Sequence, residues 1–159
     1  MSTIRVVWGS SSGPTAMASY DAALAEAGVE NYNLVPVSSV IPAAAAVEAV
    51  GTAPDLGPAG ERLTVVEARA TTAGPGRVSA ALAWSQSADG GPGLFYETAG
   101  EMDRADVERR VREGLAAGQE LRDWTFGDPR VAVESRQADS GRYTTAVVLA
   151  VYGDSDPIL

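Results

Sequence analysis

NYNLVPVSSVIP, residues 31–42, is a strand-like run that carries two adjacent serines. Leu34, Val35, Val37, Val40 and Ile41 favour extended backbone, and Pro42 closes the run. On one reading Ser38 and Ser39 are a pair of hydroxyls at a strand end. On the other, the chain is built to break between them. Ser39 Oγ lies close to the Ser38 carbonyl, and where the backbone is strained its attack converts the amide to an ester. Loss of that ester by β-elimination leaves dehydroalanine at position 39. Hydrolysis then gives a ketone at a new N-terminus, a pyruvoyl group.

The flanks of this run read as alternating strands and helices. IRVVW (4–8) is a short apolar strand, and GSSSGPT (9–15) a small-residue loop. Thr15 caps a helix to about Ala27, stopped by Gly28, with Met17, Tyr20, Leu24 and Ala27 as its apolar stripe. The serine run follows as a second strand, and residues 43–61, rich in Ala, Gly and Pro, as a surface excursion. ERLTVVEARATTA (61–73) and RVSAALAWSQ (77–86) read as strands joined in a hairpin through Gly74-Pro75-Gly76. LFYET (94–98) is a further strand. Asp103 caps a helix from about 104 to 121, with Val107, Val111, Leu115 and Leu121 on its apolar side. RVAVES (130–135) and YTTAVVLAVY (143–152) are closing strands, and GDSDPIL is a frayed tail. The order hints at a duplicated βαββ unit. The expected fold class is α+β, a four-layer αββα sandwich in which two sheets pack face to face with one helix outside each.

Composition narrows the chemistry. The 159 residues suit one domain, 1–159, and 45% apolar content is enough for a core. A net charge of −9 argues against nucleic acid and anionic membranes as partners. It fits a cationic substrate, and a high-salt cytoplasm explains it equally well. All twelve basic residues are arginine. Without Cys or His there is no disulfide, thiolate nucleophile, Cys/His metal site or Ser-His-Asp arrangement. Without Lys there is no Schiff base to pyridoxal phosphate. GSSSGPT lacks the Gly-Lys-Ser/Thr ending of a phosphate-binding loop, so a nucleotide-binding domain finds no support. MSTIRVVWG lacks the features of a signal peptide, and VIPAAAAVEAV falls short of the ~20 residues that span a bilayer, so a cytoplasmic protein is expected.

The pattern as a whole resembles the pyruvoyl-dependent arginine decarboxylases. The shared features are a Gly/Ser loop ending in Thr15, then Tyr20-Asp21-Ala22-Ala23-Leu24, Ala27-Gly28, Asn31-Tyr32-Asn33-Leu34 and Ser38-Ser39-Val40-Ile41-Pro42. Gly93-Leu94-Phe95-Tyr96-Glu97 and Arg122-Asp123-Trp124 follow in the same order. Two departures stand out. Glu30 occupies a position where the family often has a small residue, and residues 43–61 are Ala-rich.

The resemblance implies autocatalytic cleavage between Ser38 and Ser39 into chains 1–38 and 39–159, with a covalent pyruvoyl group from Ser39 as cofactor and no metal. It implies decarboxylation of arginine to agmatine by homotrimers whose active sites lie between subunits. It assigns proton donation to Glu97, whose pKa would be raised by apolar neighbours such as Leu94 and Phe95; otherwise Glu97 is an exposed strand-end carboxylate. It implies that Asn33, of the same strand parity as Ser39, orients the Ser38 carbonyl or holds the oxyanion during cleavage; otherwise Asn33 is a turn residue. It gives Asp21 the guanidinium of the substrate, which a carboxylate can hold bidentately; otherwise Asp21 is a solvated helix carboxylate. Two other functions stay open: a decarboxylase of a different amino acid, and an uncleaved, non-catalytic homologue that binds a small cationic ligand.

Overall fold

The opening strand runs farther than its apolar residues. In the computed structural model, which describes residues 3–159, β1 (Thr3–Gly13) takes in both the apolar run and the Gly-Ser-Ser-Ser-Gly segment expected as a loop. The small residues there serve close packing. A Cβ on Gly9 would meet the Ala23 carbonyl oxygen at 2.3 Å, and one on Gly13 the Ser19 nitrogen at 2.8 Å. The helix α1 (Ala16–Ala27) can therefore lie directly on this strand. Thr15 caps it, accepting from Ala18 N at 3.0 Å, and it stops at Gly28. Its buried face is Ser19, Ala23, Leu24 and Ala27; Met17, expected inside, is 70% exposed. Ser19 takes the inward position because its hydroxyl bonds Thr145 Oγ1 at 2.7 Å.

The remaining elements are β2 (Asn33–Pro36), β3 (Val40–Ile41), β4 (Ala46–Gly51), β5 (Arg62–Thr72), β6 (Arg77–Ser85), β7 (Gly93–Glu101), α2 (Arg104–Glu120), β8 (Arg130–Gln137) and β9 (Tyr143–Tyr152). They form a five-stranded sheet, β2-β5-β9-β1-β4, and a four-stranded sheet, β3-β7-β6-β8. Three apolar layers separate the four layers of backbone. Phe95, Trp84, Leu82, Val6, Val66 and Val148 meet between the sheets. Val7, Leu63, Val65 and Leu149 meet Ala23, Leu24 and Ala27 of α1. Ala81, Ala83 and Leu94 meet Val107, Val111 and Leu115 of α2. The αββα sandwich is as expected, and each central strand is buried on both faces because each sheet is covered twice.

Several local expectations change. The duplicated βαββ unit is present with its last strands exchanged: β1-α1-β5-β6 and β7-α2-β8-β9 each lay two strands in one sheet and send the last into the other, β9 between β5 and β1 and β6 between β7 and β8. Gly74-Pro75-Gly76 is not a hairpin turn: β5 and β6 belong to different sheets, and Gly74 and Gly76, both at positive φ, fold the chain from one to the other. Residues 43–61 are not all excursion, since Ala46–Gly51 pairs parallel with β1. Leu121 lies past the last turn of α2 and is 82% exposed. The tail is held at Asp156, which exchanges both backbone bonds with Arg62 (2.9 and 3.0 Å). Where β4 ends, side chains cover the open edge of β1: Ser10 N donates to Glu26 (2.8 Å), and Arg136 donates to Ser10 O (3.3 Å).

Candidate active site

The serine run is not one strand. β2 ends at Pro36 on the edge of the first sheet, and β3 begins at Val40 on the edge of the second, so residues 37–39 cross between the sheets. Pro36 suits that place, since a residue without an N–H is tolerated at an edge. Both ends of the crossing are tied down. Val37 N donates to Val65 O on β5 at 2.9 Å. Phe95 N on β7 donates to Ser39 O at 2.7 Å, and the Tyr152 hydroxyl on β9 donates to Val40 O at 2.9 Å. Between these ties, among the described residues, no hydrogen bond engages Ser38 or the Ser39 hydroxyl. Ser38 is exposed and Ser39 half-buried. The peptide bonds are trans, and Ala44 (φ 63°) is the only non-glycine at positive φ among the described residues. Left-handed backbone strain at the serines is therefore absent. The fold instead fixes both sides of an accessible bond.

Glu97 is two residues beyond Phe95 on β7, roughly 7 Å along the strand. By strand alternation it shares the face of Phe95, which points between the sheets. Leu94 points the other way, against α2, so it does not flank the carboxyl as expected. The Glu97 side chain reaches solvent, yet desolvation by the surrounding protein raises its pKa. It is close enough to Tyr152 to act on it: burial first, then the charge of Glu97, pushes the Tyr152 hydroxyl up to about 12. Tyr152 thus stays a protonated donor to Val40. Its ring packs at 6.2 Å from that of Phe95, which lies at 6.0 Å from Trp84.

A hollow of about 280 Å³ opens beside Ser39, walled by Leu94, Phe95 and Tyr96 of β7 and by Ala117, Gly118, Leu121 and Arg122 at the end of α2. Tyr96 reaches this wall because α2 has glycine at 114, where a Cβ would meet the Tyr96 ring at 2.2 Å. Arg122 is anchored, donating to Gly118 O at 2.8 Å and lying over the Trp124 ring at 5.5 Å. That accounts structurally for the Arg-x-Trp spacing.

The other two expected site residues lie elsewhere in the chain. Asp21 is exposed on α1, in a separate hollow of about 500 Å³ lined by Thr15, Met17, Ala18, Tyr20 and Leu24. Beside it, Tyr20 donates to Glu67 at 2.6 Å and Arg69 stacks over the Tyr20 ring at 4.4 Å. Asn33 Nδ2 donates to Gly60 O at 2.7 Å, so in one chain it steadies the turn before β5 rather than the Ser38 carbonyl. The parity argument fails because β2 ends before the serines. Tyr152 and the Phe95 N–H were not legible in the sequence. A terminal Tyr in an apolar strand reads as packing, and a backbone donor has no signature of its own.

The arrangement brings together a fixed but unbonded Ser-Ser link, a carboxyl with a raised pKa on the neighbouring strand β7, and an adjoining hollow. The family model described as pyruvoyl-dependent arginine decarboxylase (PvlArgDC) matches residues 3–157. A pyruvoyl-dependent arginine decarboxylase of Halobacterium salinarum is 60% identical over 158 residues, 99% of this chain and 98% of its own length. Proteins of the same name from Pyrococcus abyssi (36% identical over 120 residues, 75% of each chain) and Methanocaldococcus jannaschii (33% over 124 residues, 77% of this chain and 73% of the other) are also similar. The chain belongs to the pyruvoyl-dependent arginine decarboxylase family.

Proposed function

We propose that the protein cleaves itself between Ser38 and Ser39, carries a pyruvoyl group at residue 39, and decarboxylates arginine to agmatine and CO2. The observation that carries this reading is the tethered crossing, with Val37, Ser39 and Val40 each held through the backbone while the serine link and the Ser39 hydroxyl stay unbonded. A pyruvoyl group fits there, since the carbonyl of residue 39 is already bonded and a hollow adjoins it. When formed, the group supplies a ketone that captures the substrate amine and an amide carbonyl that takes up the electron pair left by CO2.

The chain's own residues do the rest. Glu97, whose raised pKa keeps more of it protonated near neutral pH, returns a proton to the carbon that lost CO2. Asn33 anchors the strand that leads into the serines, through its bond to Gly60. Asp21 takes the guanidinium. Within one chain its hollow shares no residue with the Ser39 hollow. We therefore assign Asp21 to the residue-39 site of a neighbouring copy, in a homotrimer with sites between subunits. The enzyme works in the cytoplasm, where free arginine is available.

Cleavage need not separate the halves. β1, from chain 1–38, is paired with β9 from Ile4↔Tyr152 to Gly13↔Tyr143 and with β4 on its other side, and both partners lie in chain 39–159.

Intact-mass measurement of the purified protein, with CO2 release from a panel of amino acids, tests the proposal. The expected result is two masses, for 1–38 and for 39–159 with a pyruvoyl terminus, and release from arginine above the rest of the panel. A single 1–159 mass without CO2 release overturns it, and release from another amino acid reassigns the substrate.

A further inference from the structure

Resting on the reading that residue 39 becomes the pyruvoyl cap, we infer that the backbone N–H of Phe95 is a catalytic donor to the electron-accepting carbonyl. In the uncleaved chain it donates to Ser39 O at 2.7 Å. That oxygen survives cleavage. The bond that breaks lies on the N-terminal side of residue 39, whereas this carbonyl forms the amide to Val40. It becomes the oxygen toward which electron density moves as CO2 departs.

The donor is preorganised. Phe95 is fully buried, with its ring between the sheets against Trp84 and Tyr152. The far edge of its strand is paired with β6, Phe95 opposite Trp84. The acceptor is held as firmly, because Val40 and Ile41 pair with Leu94 and Gly93 and the Val40 carbonyl takes the Tyr152 hydroxyl. None of these contacts involves residues 1–38, so cleavage leaves them in place. A ladder bond between neutral groups becomes stronger when its acceptor gains negative charge. It therefore stabilises the transition state more than the ground state, which is the requirement for raising kcat. Loss of one full oxyanion donor costs roughly 10²–10³ in kcat. Here the charge is shared over the conjugated group, so roughly 10–100-fold is expected from the same principle.

The test replaces Phe95 by phenyllactic acid through nonsense suppression, which turns the N–H into an ester oxygen and keeps the ring. The control places the ester at Ala81 of β6, as lactic acid, removing an N–H that points to Thr98 of β7 by strand alternation and lies away from the hollow. Expected for the Phe95 ester are mature chains of normal mass, a 10–100-fold fall in kcat with KM little changed, and an upward shift of the residue-39 carbonyl stretch in protein labelled with [1-13C]serine. The Ala81 ester should keep the wild-type stretch and kcat. Wild-type kcat and stretch in the Phe95 ester, or equal losses in both esters, overturn the inference.

A second readout needs no variant. Phe95 and Phe126 are the only phenylalanines, so [15N]Phe enzyme shows two amides. In the processed wild type the Phe95 amide should be protected from exchange and should move when agmatine is added; a fast-exchanging, unresponsive amide overturns the inference even if the ester protein does not fold. An unprocessed wild-type chain, seen by mass beforehand, instead refutes the decarboxylase reading on which this one rests.

Discussion

Removing one oxygen atom, Tyr152→Phe, asks whether the tether on Val40 drives self-cleavage. The ring stays, so its packing on Phe95 at 6.2 Å is kept, and only the 2.9 Å bond to the Val40 carbonyl is lost. A hydroxyl-to-carbonyl bond contributes about 0.5–1.5 kcal/mol net. Val40 is 43% exposed, so water can reach its carbonyl and the stability loss falls at the lower end of that range. A loss of ~0.5 kcal/mol moves the midpoint of a domain this size by roughly 1–2 °C. The same bond fixes the C-terminal side of the serine link. If its whole worth is expressed in the cleavage transition state, the rate falls by about 2- to 13-fold, since ~1.4 kcal/mol is tenfold.

The assay is a time course of the 1–159 band on a denaturing gel after rapid purification, beside a thermal melt. Tyr143→Phe is the control: Tyr143 lies at the other end of β9, 37% exposed, and its hydroxyl makes no hydrogen bond among the described residues. Slower cleavage in Tyr152→Phe, with Tyr143→Phe at the wild-type rate, supports the tether. Wild-type cleavage in a stably folded Tyr152→Phe would refute it.

Glu97→Gln should cleave normally yet lose most turnover, measured as CO2 release; full turnover would move the proton donor elsewhere. The same variant carries a pH signature. Folding raises the pKa of Glu97, so its ionised form destabilises the fold above that pKa, and the penalty disappears as pH falls below the unfolded value of 4.5. Glu97→Gln should therefore melt higher than wild type at neutral pH, with the gain vanishing below about pH 4. Asp21→Asn should raise KM for arginine by at least tenfold while leaving self-cleavage untouched, because charge-assisted bonds of roughly 1.5–3 kcal/mol each are lost at a site away from the serines. Finally, chains 1–38 and 39–159 should co-elute under native conditions and part only in denaturant; free 1–38 in native buffer would contradict the β1 pairing with β9 and β4.

The sandwich was readable because its long elements carry strong patterns. The run Ala146–Val151, fully buried in β9, and the Val107, Val111, Leu115 stripe of α2 each admit one assignment. What escaped was set by neighbours distant in sequence. Gly9–Gly13 looked like a loop because small residues there make room for α1, a need visible only once the helix lies on the strand. Met17 satisfied the helical period yet faces outward, while Ser19 turns inward to a hydroxyl on β9. The serine pair and Glu97 stood out in the sequence as candidates for chemistry. That Asn33 would bond Gly60, and that a tyrosine more than a hundred residues away would hold Val40, depend on which sheet edges the crossing joins.

Reductive trapping reports on the residue-39 ketone itself. Purified enzyme is mixed with arginine and borohydride, and its chains are weighed. The 39–159 chain alone should gain the mass of reductively coupled arginine or agmatine, while Ser39→Ala should run as one unlabelled 1–159 chain. A wild-type protein that stays whole and takes up no label would contradict it.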